Sequence, residues 1–256
     1  MDPVLQSPMY FFLANFSFLE ICYVSAILPR MLMNLGTQRR ISLVACATQM
    51  CFFLMFGGSE CLLLAVMVYD RYVAICSPLN YPLVMNHRVC IQLVTGSWTI
   101  GIPVMVGHTY QIFSLPFCGP NQINHFFCDI PPILKLACGD IFVNEMLVYI
   151  VAVLFGMVPF LLILGSYSTI ISVILKLPSA ASRAKAFSTC SSHLTVVELF
   201  FGSVIITHLT SNIRLSEGTD KVLSLLYTIL TPMFNPMIYS LRNKDVIKAL
   251  RKLLCK

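Results

Sequence analysis

Charge is what this chain has least of. Only 11% of its 256 residues are Asp, Glu, Lys or Arg, against 57% hydrophobic. An ordinary soluble domain carries about 25% charged residues. A water-facing surface cannot be built from so few, so the expected solvent is lipid. Phosphate-binding glycine loops and nucleophile–base pairings on a recognisable scaffold are both missing, which argues against an enzyme. Internal repeats and paired broken helices are missing too, which argues against a transporter. The formal charge of +6 comes without a basic patch interleaved with aromatics, so no nucleic-acid partner is expected. Met1 to Ser7 is short, not basic and without a small-residue cleavage site, so it does not read as a cleaved leader.

The chain does have long apolar runs. Six reach spanning length, which is roughly 20 residues: residues 9–32, 44–69, 89–110, 143–174, 194–209 and 222–241. Pro29, Pro103, Pro159 and Pro232 interrupt four of them, and membrane helices tolerate such kinks. Run length decides for helix over strand. The side holding Arg71, Arg88, Lys176, Arg183, Lys185 and the basic tail (Arg242 to Lys256) is richer in cations than the side holding Arg30, Arg39, Arg40, Lys135, Arg214 and Lys221. The richer side is therefore placed in the cytosol. On that topology His125 and His193 lie on opposite sides of the membrane and cannot share a site. Cys46, Cys118, Cys128 and Cys138 fall on the outer side, where disulfides are permitted; sequence alone leaves three pairings open. The other seven cysteines read as free.

Two placements of charge are unusual. Met67-Val68-Tyr69-Asp70-Arg71-Tyr72-Val73-Ala74-Ile75-Cys76 sets an Asp-Arg pair at the inner end of an apolar run, where it can be read by a cytosolic partner. Glu20, Glu60 and Glu198 lie within apolar runs, where an ionised group costs about 2.5–3.5 kcal/mol. If Glu20 and Glu60 face one another, they cannot both ionise without a cation. Asn243 to Leu254 reads as a short amphipathic helix lying on the inner leaflet, with Cys255 a candidate for palmitoylation.

These features resemble the odorant (olfactory) receptors of the rhodopsin-like G-protein-coupled receptor family. The resemblance covers nearly every residue. It rests on Pro8-Met9-Tyr10-Phe11-Phe12-Leu13, the decamer Met67 to Cys76, Ser166-Tyr167, Lys185 to Leu194, and Pro232 to Asn243, five signatures in the right order. The long outer loop with three cysteines is similar to that of the tetrapod-type subgroup. The implied fold is an all-α membrane protein, a single receptor domain with six of seven transmembrane helices and a short amphipathic C-terminal helix. The family's Pro-Met-Tyr-Phe-Phe-Leu motif opens its second helix, so the N-terminal tail and first helix are expected to be absent. An inactive truncated receptor is the alternative function on that ground. A transporter using Glu20, Glu60 and Glu198 as an ion path is a weaker one.

The implied function is odorant binding coupled to a stimulatory G protein of the olfactory type and to cyclic AMP, from a multi-pass position in the plasma membrane. No cofactor is required. The implied activation residues are Asp70, Arg71, Tyr72, Tyr167, Asn235, Pro236 and Tyr239, with Lys185 and His193 contacting the G protein. The family's pocket positions correspond to Phe53, Leu54, Gly57, Gly58, Cys61, Ala152, Phe155, Phe201, Val204, Ile205 and His208. Gly57 and Gly58 give either pocket room or close helix approach. The implied disulfides are Cys46–Cys128 and Cys118–Cys138. The alternative for the loop is a metal held by His125, Cys128 and Asp129, which a disulfide at Cys128 would prevent. Glu20, Glu60 and Asn235 look like a pocket for an allosteric sodium ion. Helix six departs from the family by reading Leu199-Phe200-Phe201-Gly202, without the usual Tyr. Glu198, one turn from Phe201, is placed close to the same face.

Overall fold

The computed structural model describes residues 7–37, 41–118, 128, 130–212, 232, 234, 235 and 238. The helices in chain order are α1 (Pro8–Thr37), α2 (Leu43–Cys76), α3 (Tyr81–Val84), α4 (His87–Phe113), α5 (Ile130–Leu134), α6 (Phe142–Ala152), α7 (Val158–Leu175) and α8 (Ala180–Asn212). A π turn, Val153–Met157, joins α6 to α7. Among the described residues the one extended pairing is an isolated antiparallel bridge, Phe117 to Ala137.

Four stretches are long and apolar enough to cross a membrane: Pro8–Pro29, Leu43–Cys76, His87–Phe113 and Phe142–Leu175. They coincide with the first four expected spans. The fifth, residues 194–209, is part of α8, which continues unbroken back to Ala180. The sixth span lies largely outside the described residues, as does the expected amphipathic helix 243–254.

Local chemistry explains the starts. Ser42 caps α2 by accepting a hydrogen bond from the Ala45 amide at 3.2 Å. Asn86 does the same for α4 through the Val89 amide at 3.0 Å. Pro29 and Pro103 sit inside α1 and α4, as membrane helices allow. Pro159 falls in the first turn of α7, immediately after the π turn.

Helix α2 is the central post, packed against α1, α4 and α7. The inner core joins Phe12, Phe16 and Leu19 of α1 to Leu63, Leu64, Met67 and Val68 of α2. Cys90 and Val94 of α4, Ile163, Tyr167, Ile170 and Ile174 of α7, and Cys190, Val196, Val197 and Phe201 of α8 complete it. A smaller outer cluster gathers Cys46, Met50, Ile112, Cys128 and Ile133. Lipid is as apolar as these side chains, so packing and small residues, not water exclusion, hold the helices together. Gly101 shows this: a β-carbon there would stand 2.8 Å from Ser59 Oγ and 3.6 Å from Ser59 Cα, so only glycine lets α4 approach α2 that closely.

Along α7 the buried residues are Pro159, Ile163, Tyr167, Ile170 and Ile174. An unbroken α-helix would continue that stripe outward through Gly156 to Ala152. The π turn inserts one extra residue and advances the register. Phe155 is turned inward in its place, 7% exposed, and Ala152 is left on the exposed surface. Ala152 therefore does not line the bundle interior, contrary to expectation.

Candidate functional site

The two ends of α2 carry different chemistry, about 36 Å apart at 1.5 Å per residue from Cys46 to Asp70. At the outer end Cys46 is bonded to Cys128, with Cα atoms 5.5 Å apart. Cys118 is bonded to Cys138, with Cα atoms 5.9 Å apart. Both separations suit a disulfide. The second bond closes the base of the outer loop, where the Cys138 amide donates to Pro116 O at 2.9 Å. With Cys128 in a disulfide, the alternative metal set loses its thiolate; His125 and Asp129 lie outside the described residues. Cys22, Cys51, Cys61, Cys76, Cys90 and Cys190 are free, as expected.

At the inner end Asp70 is buried to 1% exposure, and the Arg71 side chain to 12%. Arg71 Nη2–H and Nε–H both donate to Asp70 Oδ2, at 2.6 and 3.2 Å. The Tyr81 hydroxyl donates to the other oxygen, Oδ1, at 2.8 Å. A buried carboxylate is tolerable only when hydrogen bonds and an opposite charge satisfy it, and here both oxygens are engaged. Tyr81 was not singled out from sequence. Its signal was the Tyr81-Pro82 start of a one-turn helix, eleven residues after Asp70, which returns the chain beneath that acid. Burial and the Asp70 carboxylate push the Tyr81 phenol above its ordinary value, so it remains a donor. Tyr81→Phe is expected to raise ligand-independent signalling several-fold, because a hydrogen bond to a charged group contributes about 1.5–3 kcal/mol to the closed arrangement. Basal nucleotide exchange at matched surface density measures it.

Around Arg71 stand Tyr167 of α7 and Cys190 and His193 of α8, all buried and within electrostatic reach of the guanidinium. Among the described residues the Tyr167 hydroxyl has no hydrogen-bond partner. Tyr72 is half-buried against the inner core. His193, expected on the surface that meets the G protein, is instead 4% exposed and belongs to the wall around Arg71. Lys185 and His193 share one helix, but the helical turn sends His193 inward with Cys190. Lys185 lies in α8, its side chain outside the described residues. Pro236 and Tyr239 also lie outside them.

Midway along α2, Glu60 and the Glu20 carboxyl of α1 meet, both 2% exposed. Asn235, fully buried, donates through Nδ2 to Glu20 Oε1. Among the described residues Glu20 Oε2 and Asn235 Oδ1 are buried and have no hydrogen-bond partner. Orphaned oxygens beside two carboxyl groups suit a hard cation, so the set fits sodium.

The outer half holds the expected ligand positions unevenly. The Phe53 ring packs against Tyr23 with centroids 5.6 Å apart. Leu54 lies against the outer cluster. Cys61 is buried. A β-carbon on Gly57 would meet nothing nearer than Tyr23 at 3.9 Å, so room remains there. On Gly58 it would stand 2.6 Å from Met105 Cε and 3.5 Å from Phe155 Cδ1. Gly58 thus serves close approach: Met105 and Phe155 meet over it. Phe201 is buried, its ring 5.0 Å from that of Phe160 and 5.2 Å from that of Phe200. Two placements are corrected on α8. Ile205 is 44% exposed, and Glu198, two turns before it on the same side, is also exposed rather than turned inward with Phe201. Val204 and His208 lie in α8, their side chains outside the described residues.

Helices long and apolar enough to cross a membrane, bridged by disulfide at the outer end and joined by a buried ion pair at the inner end, mark a helical membrane protein. Comparison with known proteins agrees. The family model described as olfactory receptor matches residues 1–256. Human olfactory receptor 10AG1 is 69% identical over 255 residues, covering 99% of this chain and 85% of that protein. Human olfactory receptor 10C1 is 52% identical, covering 100% and 82%. Human olfactory receptor 10A2 is 53% identical, covering 100% and 84%. The chain belongs to the olfactory receptor family. It is a multi-pass membrane receptor and not an enzyme.

Proposed function

We propose that this receptor sits in the plasma membrane, binds a small volatile odorant in the outer half of its bundle, and activates a stimulatory G protein of the olfactory type, raising cyclic AMP. The observation that carries the reading is the closed set Asp70, Arg71 and Tyr81, walled by Tyr167, Cys190 and His193. The Asp70–Arg71 pair of α2 and Tyr81 of α3 are joined by hydrogen bonds at the end opposite the tethered outer loop, with buried residues of α7 and α8 within electrostatic reach of the guanidinium. An odorant acts only by binding an arrangement in which that set is open better than the closed one. Outward displacement of α8 would remove Cys190 and His193 from Arg71 and clear its path to a G-protein α-subunit. The test is nucleotide exchange on a purified stimulatory G protein, with the full-length receptor in vesicles and a broad odorant panel. Ligand-dependent exchange supports the reading; exchange only on an inhibitory G protein overturns the coupling.

The same reading assigns Glu20, Glu60 and Asn235 to an allosteric sodium ion, with no other cofactor required. When bound, the ion supplies positive charge that permits both carboxyl groups to ionise. Replacing sodium by choline is then expected to raise agonist potency several-fold in the wild type and to leave Glu60→Gln unchanged. A wild type indifferent to sodium would mean that the two carboxyl groups share a proton instead.

A further inference from the structure

Gln49 is a buried polar group that the closed inner set and the carboxyl cluster do not use. It is 8% exposed, and among the described residues neither its Nε2 nor its Oε1 has a hydrogen-bond partner. It lies on α2 one turn inside Cys46 and one turn outside Phe53. Phe53 packs on Tyr23, and Gly57 has the same Tyr23 as its nearest neighbour. The face carrying Gln49, Phe53 and Gly57 is therefore turned toward α1. Ile27 and Met31, one and two turns further out on α1, are buried and apolar. A buried amide with neither end paired is rare in a protein interior, and a ligand group is one way to satisfy it.

We propose that the Gln49 carboxamide is the polar anchor of the odorant site and that it selects small apolar molecules bearing a hydroxyl. The reading rests on the odorant function above. A carboxamide presents N–H donors and a carbonyl acceptor, and a hydroxyl satisfies both at once, whether it belongs to an alcohol or to a carboxylic acid. A ketone or aldehyde satisfies the donor only; a hydrocarbon satisfies neither and leaves the amide desolvated. The rest of the ligand would lie along Phe53 and into the space beside Gly57, where dispersion holds it.

The experiment is a cyclic AMP dose–response of the full-length receptor to alcohols, ketones and hydrocarbons of matched carbon skeleton. It uses the wild type, Gln49→Met and Gln49→Leu, at surface density matched by an epitope tag. The expected order of potency in the wild type is alcohol, then ketone, then hydrocarbon. In both variants the alcohol loses about 10- to 100-fold, the ketone loses less, and the hydrocarbon is unchanged or gains. The proposal is overturned if the variants shift all three classes alike, as a trapped water or a packing role would require. It is also overturned if the wild type shows no preference for the alcohol. A wild type silent to every series would instead remove the odorant reading itself. Thermal stability with and without each ligand gives a second readout: the stabilisation by alcohol must disappear in Gln49→Met while the unliganded melting point holds or rises.

Discussion

Arg71→Ala is expected to reduce odorant-driven nucleotide exchange to the background of receptor-free vesicles, at least a tenfold loss of maximal response. Two physical roles end together. The guanidinium pairs with Asp70 and lies within electrostatic reach of Tyr167, Cys190 and His193, so the cation available to a partner disappears. Asp70, 1% exposed, keeps only the Tyr81 hydroxyl, and stripping one partner from a buried ion pair costs about 3–5 kcal/mol. Part of the loss is therefore instability, and the controls must separate it. Asp70→Asn removes the charge that holds Arg71 while leaving Arg71 available. It should raise ligand-independent exchange, the opposite sign from Arg71→Ala. Arg71→Lys keeps charge but loses the fork that reaches Oδ2 through two nitrogens, and an intermediate response is expected. A receptor that retains half its odorant response as Arg71→Ala, at matched surface density, has no coupling role for this residue.

Cys128→Ser is expected to lower surface delivery at least tenfold at 37 °C. The bond from Cys46 closes 82 residues, and cross-linking a loop of that length contributes about 4–5 kcal/mol through the unfolded chain. A natural fold has only about 5–15 kcal/mol in hand. Both sulfurs are also packed with Met50, Ile112 and Ile133, so a serine leaves hydroxyl and thiol in an apolar cluster. Cys46→Ser should match it, and the double variant should add little, because one bond is lost in each case. Cys118→Ser opens a separation of only 20 residues at the base of the loop and should cost less, about 3 kcal/mol. Flow cytometry of an extracellular tag measures each variant. Wild-type surface levels in Cys128→Ser would show that the tether is dispensable.

The spans were legible because spanning helices announce themselves by length and absence of charge, and the first four expected runs reappear in α1, α2, α4 and the Phe142–Leu175 stretch. The disulfide partners came from resemblance; spacing left three pairings open, and both implied pairs are bonded. The misplacements have one cause. Ala152, Ile205 and His193 were assigned by correspondence to family positions, and Glu198 by its three-residue spacing from Phe201, while facing depends on the phase of the whole helix. A single-residue π insertion, invisible to hydropathy, moves Ala152 out and Phe155 in. An all-apolar helix carries no polar stripe from which phase can be read. Tyr81 was missed for a related reason: its role exists only because a one-turn helix folds back under Asp70.

Hydropathy and the spacing of charges were enough to settle that this chain lives in lipid, crosses it repeatedly as helices, and keeps a handful of ionisable groups where none is easily tolerated. These are local properties, since transfer out of water is counted residue by residue. Which of those groups meet was decided by packing. Three-dimensional contact put Tyr81 on Asp70 and Glu20 against Glu60 and Asn235, and it turned His193 inward. It also left Glu198 outside and Gln49 without a hydrogen-bond partner among the described residues, because pairing depends on the rotation and approach of whole helices.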